Sequence, residues 1–181
     1  MIVIERAITL TQPWATLMVI GAKKVETRGW RTNFRGWVAI HAAKSFPDEC
    51  RALLNDDAFA DILDAAGVDR DALPLGQILA VTEIIDCRPT EDTSVAEQET
   101  VFGNYAPGRF AIFTQGVRRL KQPTTIRGAL SIWRLPSPIT EMDLVGVGER
   151  LSRTVLNPAA AWPFPKGIIY LTPTAKSAAY E

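Results

Sequence analysis

Cysteine, histidine and long apolar runs are all scarce in this chain of 181 residues. Its two cysteines, Cys50 and Cys87, stand far apart and lack the spacing of a zinc site or a disulfide framework. The single histidine, His41, gives a serine or cysteine triad only one possible base, and no serine stands in a GxSxG context. These absences argue against triad hydrolases and against a metal centre, so we expect no bound metal.

Membrane-spanning segments and cofactor-binding loops are also missing. Every apolar run is far shorter than the ~20 residues that cross a bilayer, and the N-terminal MIVIERAITL has no basic segment followed by an apolar one. Neither a GxGxxG nor a GxxxxGK[ST] loop occurs. We therefore expect no membrane partner and no cofactor, and a reduced, cytoplasmic location.

Charge is unevenly distributed although the formal net charge is zero. Residues 1–44 carry seven Lys and Arg against two Asp and Glu, residues 45–101 carry three against fourteen, and residues 102–181 carry ten against four. If the two basic segments meet in the fold, they form a positive face suited to phosphate. The acidic segment between them predicts a solvated helical insert at about residues 45–75.

Short, glycine-bounded apolar segments predict at least five strands with helices inserted between them. TQPWATLMVIG predicts a helix that begins at Thr11 as N-cap and stops at Gly21. The clearest strand is GQILAVTEIIDC, and SVAEQETVFGNY predicts a short helix. This pattern indicates an α+β fold built on a small barrel or a strongly curved sheet.

The stretch GAKKVETRGW places Lys23, Glu26 and Arg28 directly after the first predicted helix. An Arg can hold phosphate or carboxylate bidentately. A partly desolvated Lys beside it suits a nucleophile or general base, and a Glu can orient that Lys or move a proton. An ordinary ion pair on a surface strand gives the same spacing, so the pattern alone leaves both interpretations open.

Aromatic residues accompany this charged stretch. The chain has five tryptophans, and Trp14 and Trp30 flank the cluster in sequence. Aromatic rings beside basic groups stack the bases of unpaired nucleotides, although most tryptophans simply fill cores. His41 lies in a predicted buried strand, where a hydrogen-bonded core histidine is the competing interpretation.

Residues 10–44, LTQPWATLMVIGAKKVETRGWRTNFRGWVAIHAAK, resemble the ASCH domain family of the PUA-like superfamily, in particular the branch with QPWA before the hallmark. Later segments, GQILAVTEIIDC and GRFAIF…GALSIWRLP, resemble its following strands, so the likeness spans roughly residues 5–136. It implies a PUA-like β-barrel domain with surrounding helices over residues 1–136, and a C-terminal extension, residues 137–181, packed on the barrel. The hallmark GxKxxExR is met by Gly21, Lys23, Glu26 and Arg28.

The resemblance implies that this chain binds RNA or a modified nucleotide or nucleoside. Family members are regarded as RNA- or nucleotide-binding, with the hallmark charges projecting into a cleft of the barrel. Lys23, Glu26 and Arg28 would line that cleft here. The full set of ligand-binding candidates is Gln12, Trp14, Lys23, Arg28, Trp30, Arg35 and His41.

Two alternatives to binding remain. Some short members hydrolyse acetylated cytidine with the hallmark Lys, a Thr and a distal Glu, and others are associated with ribonuclease activity. This chain carries Glu26 in place of that Thr, so the catalytic candidates are Lys23, Glu26 and, as the distal acid in AEQE, Glu99. The weaker alternative is a protein-interaction adaptor whose acidic segment contacts a partner. The oligomeric state and the identity of the ligand stay open.

Overall fold

The computed structural model describes residues 2–145, which fold around one six-stranded mixed sheet. The strands are β1 Val3–Leu10, β2 Val25–Arg28, β3 Gly36–Ala42, β4 Gln77–Pro89, β5 Phe110–Thr125 and β6 Ile132–Thr140. Their order in the sheet is β2-β5-β4-β3-β1-β6. β1 and β3 run parallel, and the other neighbouring pairs are antiparallel. The fold class is therefore α+β, as the sequence predicts.

Short helices connect these strands in the described part of the chain. The helices of residues 48–52 and 57–65 lie in the acidic segment, where the sequence predicts a helical insert, and that of residues 97–101 lies in the segment predicted as a short helix. Single 3₁₀ turns extend or replace helices at 53–55, 70–72, 90–92 and 141–143. The α-helices are α1 Trp14–Val19, α2 Asp48–Ala52, α3 Asp57–Ala65 and α4 Glu97–Val101.

The sheet is not closed into the predicted barrel. β2 and β6 are its two edges, because β2 pairs only with β5 and β6 pairs only with β1. β2 has only four residues. Register shifts in the β1–β6, β3–β4 and β4–β5 ladders bend the strands. A single antiparallel bridge joins Leu120 of β5 to Leu144, just after β6. The sheet thus curls towards closure without a continuous ladder.

The ends of α1 show how local sequence works here. Gly21 has a φ of 77° and its N–H donates to the carbonyl of Met18 at 3.0 Å, so the predicted stop is confirmed. The predicted N-cap is wrong, because Pro13 occupies that position. The side chain of Gln12 supplies the missing acceptor, and its Oε1 accepts from the Thr16 N–H at 3.1 Å.

Two apolar cores form on alternating residues of the strands. Helices α1 and α3 cover the first core, through residues such as Leu17 and Leu63. The second core joins β1, β4 and β5 to β6 and to Leu144. β6 runs through the boundary predicted at residue 136, and Ile139 is buried in the second core. The rest of the predicted extension, residues 146–181, lies outside the described residues.

Candidate functional site

Lys23 is buried directly after α1, with 1% of its surface exposed. Its Nζ donates to the carbonyls of Val25 at 2.6 Å and Phe102 at 2.8 Å. The same nitrogen lies 3.4 Å from Oε2 of Glu26. A protonated amine has three hydrogens, and these three acceptors match them. Lys23 therefore ties β2 to the segment after α4 rather than pointing into solvent.

Glu26 lies between two cations. Its Oε2 faces Lys23, and its Oε1 is 2.9 Å from Nε of Arg28. The side chain of Glu26 is 11% exposed and that of Arg28 is 26% exposed. Charges in such a partly buried setting interact more strongly than they do in water. The structure thus brings the three hallmark charges together in one row of ion pairs, which runs from the interior to the surface.

Arg28 lies at the outer end of this row of ion pairs and makes three contacts. Beside its ion pair with Glu26, its Nη2 donates to the carbonyl of Thr9 on β1 at 2.6 Å. Its guanidinium carbon lies 6.0 Å from the ring centroid of Trp30, within the range of a cation–π contact. Arg28 is therefore pre-positioned beside a half-buried indole ring.

Trp30 also lines an open groove of about 410 Å³. Arg6 borders the groove with its guanidinium carbon 5.6 Å from the ring centroid of Phe34. Lys23, Glu26 and Arg28 are absent from the walls, since the first two turn inward to pair within the fold. The charged cluster meets the groove through Trp30 instead of lining it. The walls comprise Arg6, Trp30, Arg31, Thr32, Phe34, Ser131 and Ile132.

Residues 97–105, which we call the α4 strap, cross over β2 and contain Glu99. The buried Glu99 carboxylate accepts from the N–H groups of Lys24 at 2.6 Å and Val25 at 3.3 Å. Further along the strap, the Asn104 N–H donates to Oγ1 of Thr27 at 3.0 Å. The structure brings Glu99 to the cluster, and its geometry is that of a group holding the start of β2.

Tyr105 is a residue near the cluster that the sequence did not single out. Its hydroxyl is buried and has no hydrogen-bond partner among the described residues. Burial, together with the charges of Glu99 and Glu26, raises the pKa of Tyr105 far above its usual range. The phenol is therefore a neutral group beside the charges. Its position at the end of SVAEQETVFGNY, the segment predicted as a short helix, was the one signal in the sequence.

Gln12 and Trp14 lie at the start of α1 and serve the fold. Gln12 is fully buried, and its Nε2 donates to the carbonyl of Pro74 at 2.9 Å while its Oε1 caps the helix. Trp14 packs edge-on against Phe59 of α3, with ring centroids 6.4 Å apart. These contacts explain both residues structurally, and their predicted contact with a ligand stays a prediction.

Arg35 lies at the end of the loop between β2 and β3, which carries Trp30, and its side chain stabilises that loop. Its Nη1 donates to the carbonyls of Thr32 at 3.2 Å and Phe34 at 2.9 Å, and its Nη2 lies 3.1 Å from Oδ1 of Asp86. Arg35 thus ties the loop that carries Trp30 to β4. Its predicted contact with a ligand stays a prediction, and that ligand would have to compete with Asp86 for the guanidinium.

His41 is buried on β3, on the face that carries Ala39 of the second core. Its Nε2 lies 3.0 Å from the carbonyl of Ile126, and its ring stands edge-on to Trp133. The loop backbone covers the ring so closely that a Cβ on Gly128 would lie 2.5 Å from Cε1 of His41. Burial lowers the pKa of His41, so the ring is neutral at pH 7. This geometry favours the competing interpretation of a core histidine.

Residues 2–145 contain neither a candidate metal site nor a helix that could span a membrane. No three His, Cys, Asp or Glu side chains come together there in a way that could hold a metal ion. The helices described in this range are all too short or too polar to cross a membrane. Both Cys50 and Cys87 are free thiols.

Known proteins resemble this chain across most of the sheet. A family model described as "ASCH domain" matches residues 8–124. The chain is 30% identical over 135 residues to activating signal cointegrator 1 of Homo sapiens, and 29% identical over the same length to activating signal cointegrator 1 of Mus musculus. Each match covers 73% of this chain and 22% of the relative. The chain thus corresponds to about a fifth of the length of these curated relatives.

Proposed function

Because this chain belongs to the ASCH domain family, we propose that it binds RNA or a nucleotide in the groove at Trp30, whose ring is in cation–π contact with Arg28. One observation carries the proposal: Arg28, fixed by Glu26 and by the Thr9 carbonyl, lies against a tryptophan ring that faces an open groove. An oriented guanidinium beside an accessible indole is the arrangement that proteins use for phosphate and an unpaired base together.

The size and charge of the groove support this class of ligand. Its volume of about 410 Å³ falls within the range of small-ligand pockets, ~300–1,000 Å³, so it suits a single base with its sugar. Arg6 and Arg31 stand at its walls, and both are exposed. Glu26 neutralises Arg28 only in part, since the same carboxylate also faces Lys23. The groove therefore offers stacking surfaces with cations at the rim.

Hydrolysis of a modified nucleoside or of RNA is the second hypothesis, and the geometry favours it less. A nucleophilic or basic Lys needs a free lone pair, whereas Nζ of Lys23 is surrounded by two carbonyls and a carboxylate. Glu99 is engaged with two backbone amides. The adaptor hypothesis, centred on the acidic α2 and α3, likewise stays a prediction.

Trp30→Leu should weaken the binding of a short single-stranded RNA by about 5- to 150-fold. Leu keeps an apolar side chain on the core but removes the aromatic face, and stacking on one aromatic is worth ~1–3 kcal/mol per base. Fluorescence anisotropy of a labelled oligonucleotide measures the change.

Trp37→Leu is the matched control, because Trp37 is also half-buried but packs against the second core. We expect it to bind RNA like the wild type. Equal affinities for wild type, Trp30→Leu and Trp37→Leu would contradict the proposed place of stacking. Failure of the wild type to bind RNA, nucleotides or nucleosides would contradict the proposed function itself.

A further inference from the structure

Two arginines stand opposite each other on β1 and the edge strand β6, beside the groove. Arg6 of β1 and Arg134 of β6 are direct partners in the antiparallel ladder. Side chains of such partners stand on the same face, with their Cβ atoms ~5 Å apart. Like charges directly opposite one another destabilise a sheet, so this pair costs the free protein some stability.

The nearby acidic group compensates this repulsion only weakly. Within residues 2–145, Arg134 pairs with Glu5 at 3.7 Å, and both side chains are more than half exposed. Exposed ion pairs of this length contribute little. Arg6 has no ion pair among the described residues, and its guanidinium is turned towards the Phe34 ring. The β1–β6 ladder therefore keeps an excess of positive charge at Arg6 and Arg134.

The loop before β6 adds an unusual backbone at the same place. Ser131 lines the groove with a φ of 59°, in the left-handed region that side chains other than Asn, Asp or Gly seldom adopt. Leu130 beside it is 92% exposed. Strained backbone and an exposed apolar side chain are features that the fold does not need for its own packing.

We infer that Arg6 and Arg134 together bind a phosphodiester of single-stranded RNA, next to the base held at Trp30. This inference rests on the proposed function and deepens it. An anion between the two guanidinium groups removes their repulsion and gains charge-assisted hydrogen bonds. Arg6 is shared by the groove and the pair, so the phosphate site continues directly from the base site.

The pair also indicates a strand rather than a free nucleoside. A nucleoside carries no phosphate and so supplies no anion between Arg6 and Arg134. A strand whose base enters the groove carries a phosphodiester on each side of that base. We expect one of these to contact Arg31 at the rim and the other to contact Arg6 and Arg134. We therefore expect an oligonucleotide to bind more tightly than its isolated nucleotide.

The test compares Arg6→Gln and Arg134→Gln with the wild type on a labelled ten-nucleotide single-stranded RNA. We expect each variant to weaken binding by about tenfold at low salt. In a titration of salt, each should also make the slope of log K against log salt shallower by about 0.7, because one fewer counterion is released from a single strand. The affinity of Arg134→Gln for a free nucleoside should match that of the wild type, because Arg134 is not among the residues that line the groove.

Arg51→Gln is the matched control. Arg51 on α2 is also an exposed arginine turned towards an aromatic ring, with its guanidinium carbon 4.5 Å from the ring centroid of Phe46. Arg51→Gln removes the same charge from the protein but leaves the pair of Arg6 and Arg134 intact. The affinity and salt slope of Arg51→Gln should equal those of the wild type.

Free Arg134→Gln should melt at the wild-type temperature or above it, because the substitution removes a like-charge pair. The inference is overturned if Arg6→Gln and Arg134→Gln keep the wild-type salt slope while Trp30→Leu still weakens binding. It is also overturned if nucleoside and oligonucleotide bind equally well. In both cases the proposed function stands. If the wild-type protein binds none of these ligands, the proposed function is contradicted as well.

Discussion

Replacing Lys23 with Met should lower the free energy of unfolding by about 3–5 kcal/mol. The buried ammonium is the shared partner of Glu26 and of the carbonyls of Val25 and Phe102. Met fills a similar volume but leaves these acceptors without a donor in a buried place, and unpaired buried groups are costly. Since domains of this size are stable by ~5–15 kcal/mol, the variant should lose a large part of its stability. Urea unfolding followed by circular dichroism measures the loss.

Lys24→Met provides the control for this experiment. Lys24 is the next residue and is exposed, so its substitution should change stability by less than about 0.5 kcal/mol. A Lys23→Met protein with the wild-type urea midpoint would show that the buried ion pair does not hold β2 in place. An unchanged midpoint would also reopen the case for Lys23 as a reactive group at the surface.

Glu99→Ala should cost about 2–4 kcal/mol, the second-largest effect expected. The carboxylate accepts from two backbone amides at the start of β2, and loss of a buried partner costs ~1–3 kcal/mol per group. Glu99→Gln should cost less, because its single carbonyl oxygen can still accept from one amide. Hydrogen exchange reports the change locally: the amides of Lys24 and Val25 should exchange faster in Glu99→Ala than in the wild type.

Glu97→Ala is the matched control on the same helix. Glu97 lies in the first turn of α4 and is exposed, so its removal should leave both the stability and the exchange rates of β2 nearly unchanged. If Glu97→Ala and Glu99→Ala behave alike, the α4 strap does not anchor β2. An alternative role for Glu99 as a mobile proton carrier would then regain support.

The local part of the site was predictable from sequence because it follows strand and helix geometry. Glu26 and Arg28 are two residues apart on one strand, so they share a face and pair. The distant partners were not predictable. Phe102 lies 79 residues from Lys23, and Glu99 lies 75 residues from Lys24. Nothing in the hallmark itself indicates that Lys23 turns inward.

The same limit applies to the candidates near the groove. Gln12 and Arg35 were predicted from their place beside the hallmark, but Pro74 and Asp86 engage them from distant segments. Such contacts depend on how the sheet curls, which follows from bulges and strand lengths rather than from apolar periodicity. The open sheet in place of a barrel has the same origin, since it depends on pairing between elements and not on any one of them.

The most direct test of RNA binding beside Arg28 is the indole resonance of Trp30 in a ¹⁵N-labelled protein titrated with single-stranded RNA. We predict that the Trp30 Nε1–H signal shifts progressively and that the shift fits the dissociation constant given by anisotropy. The signals of Trp14 and Trp37 should stay in place. RNA binding that moves other tryptophan signals and leaves that of Trp30 unchanged would contradict this account.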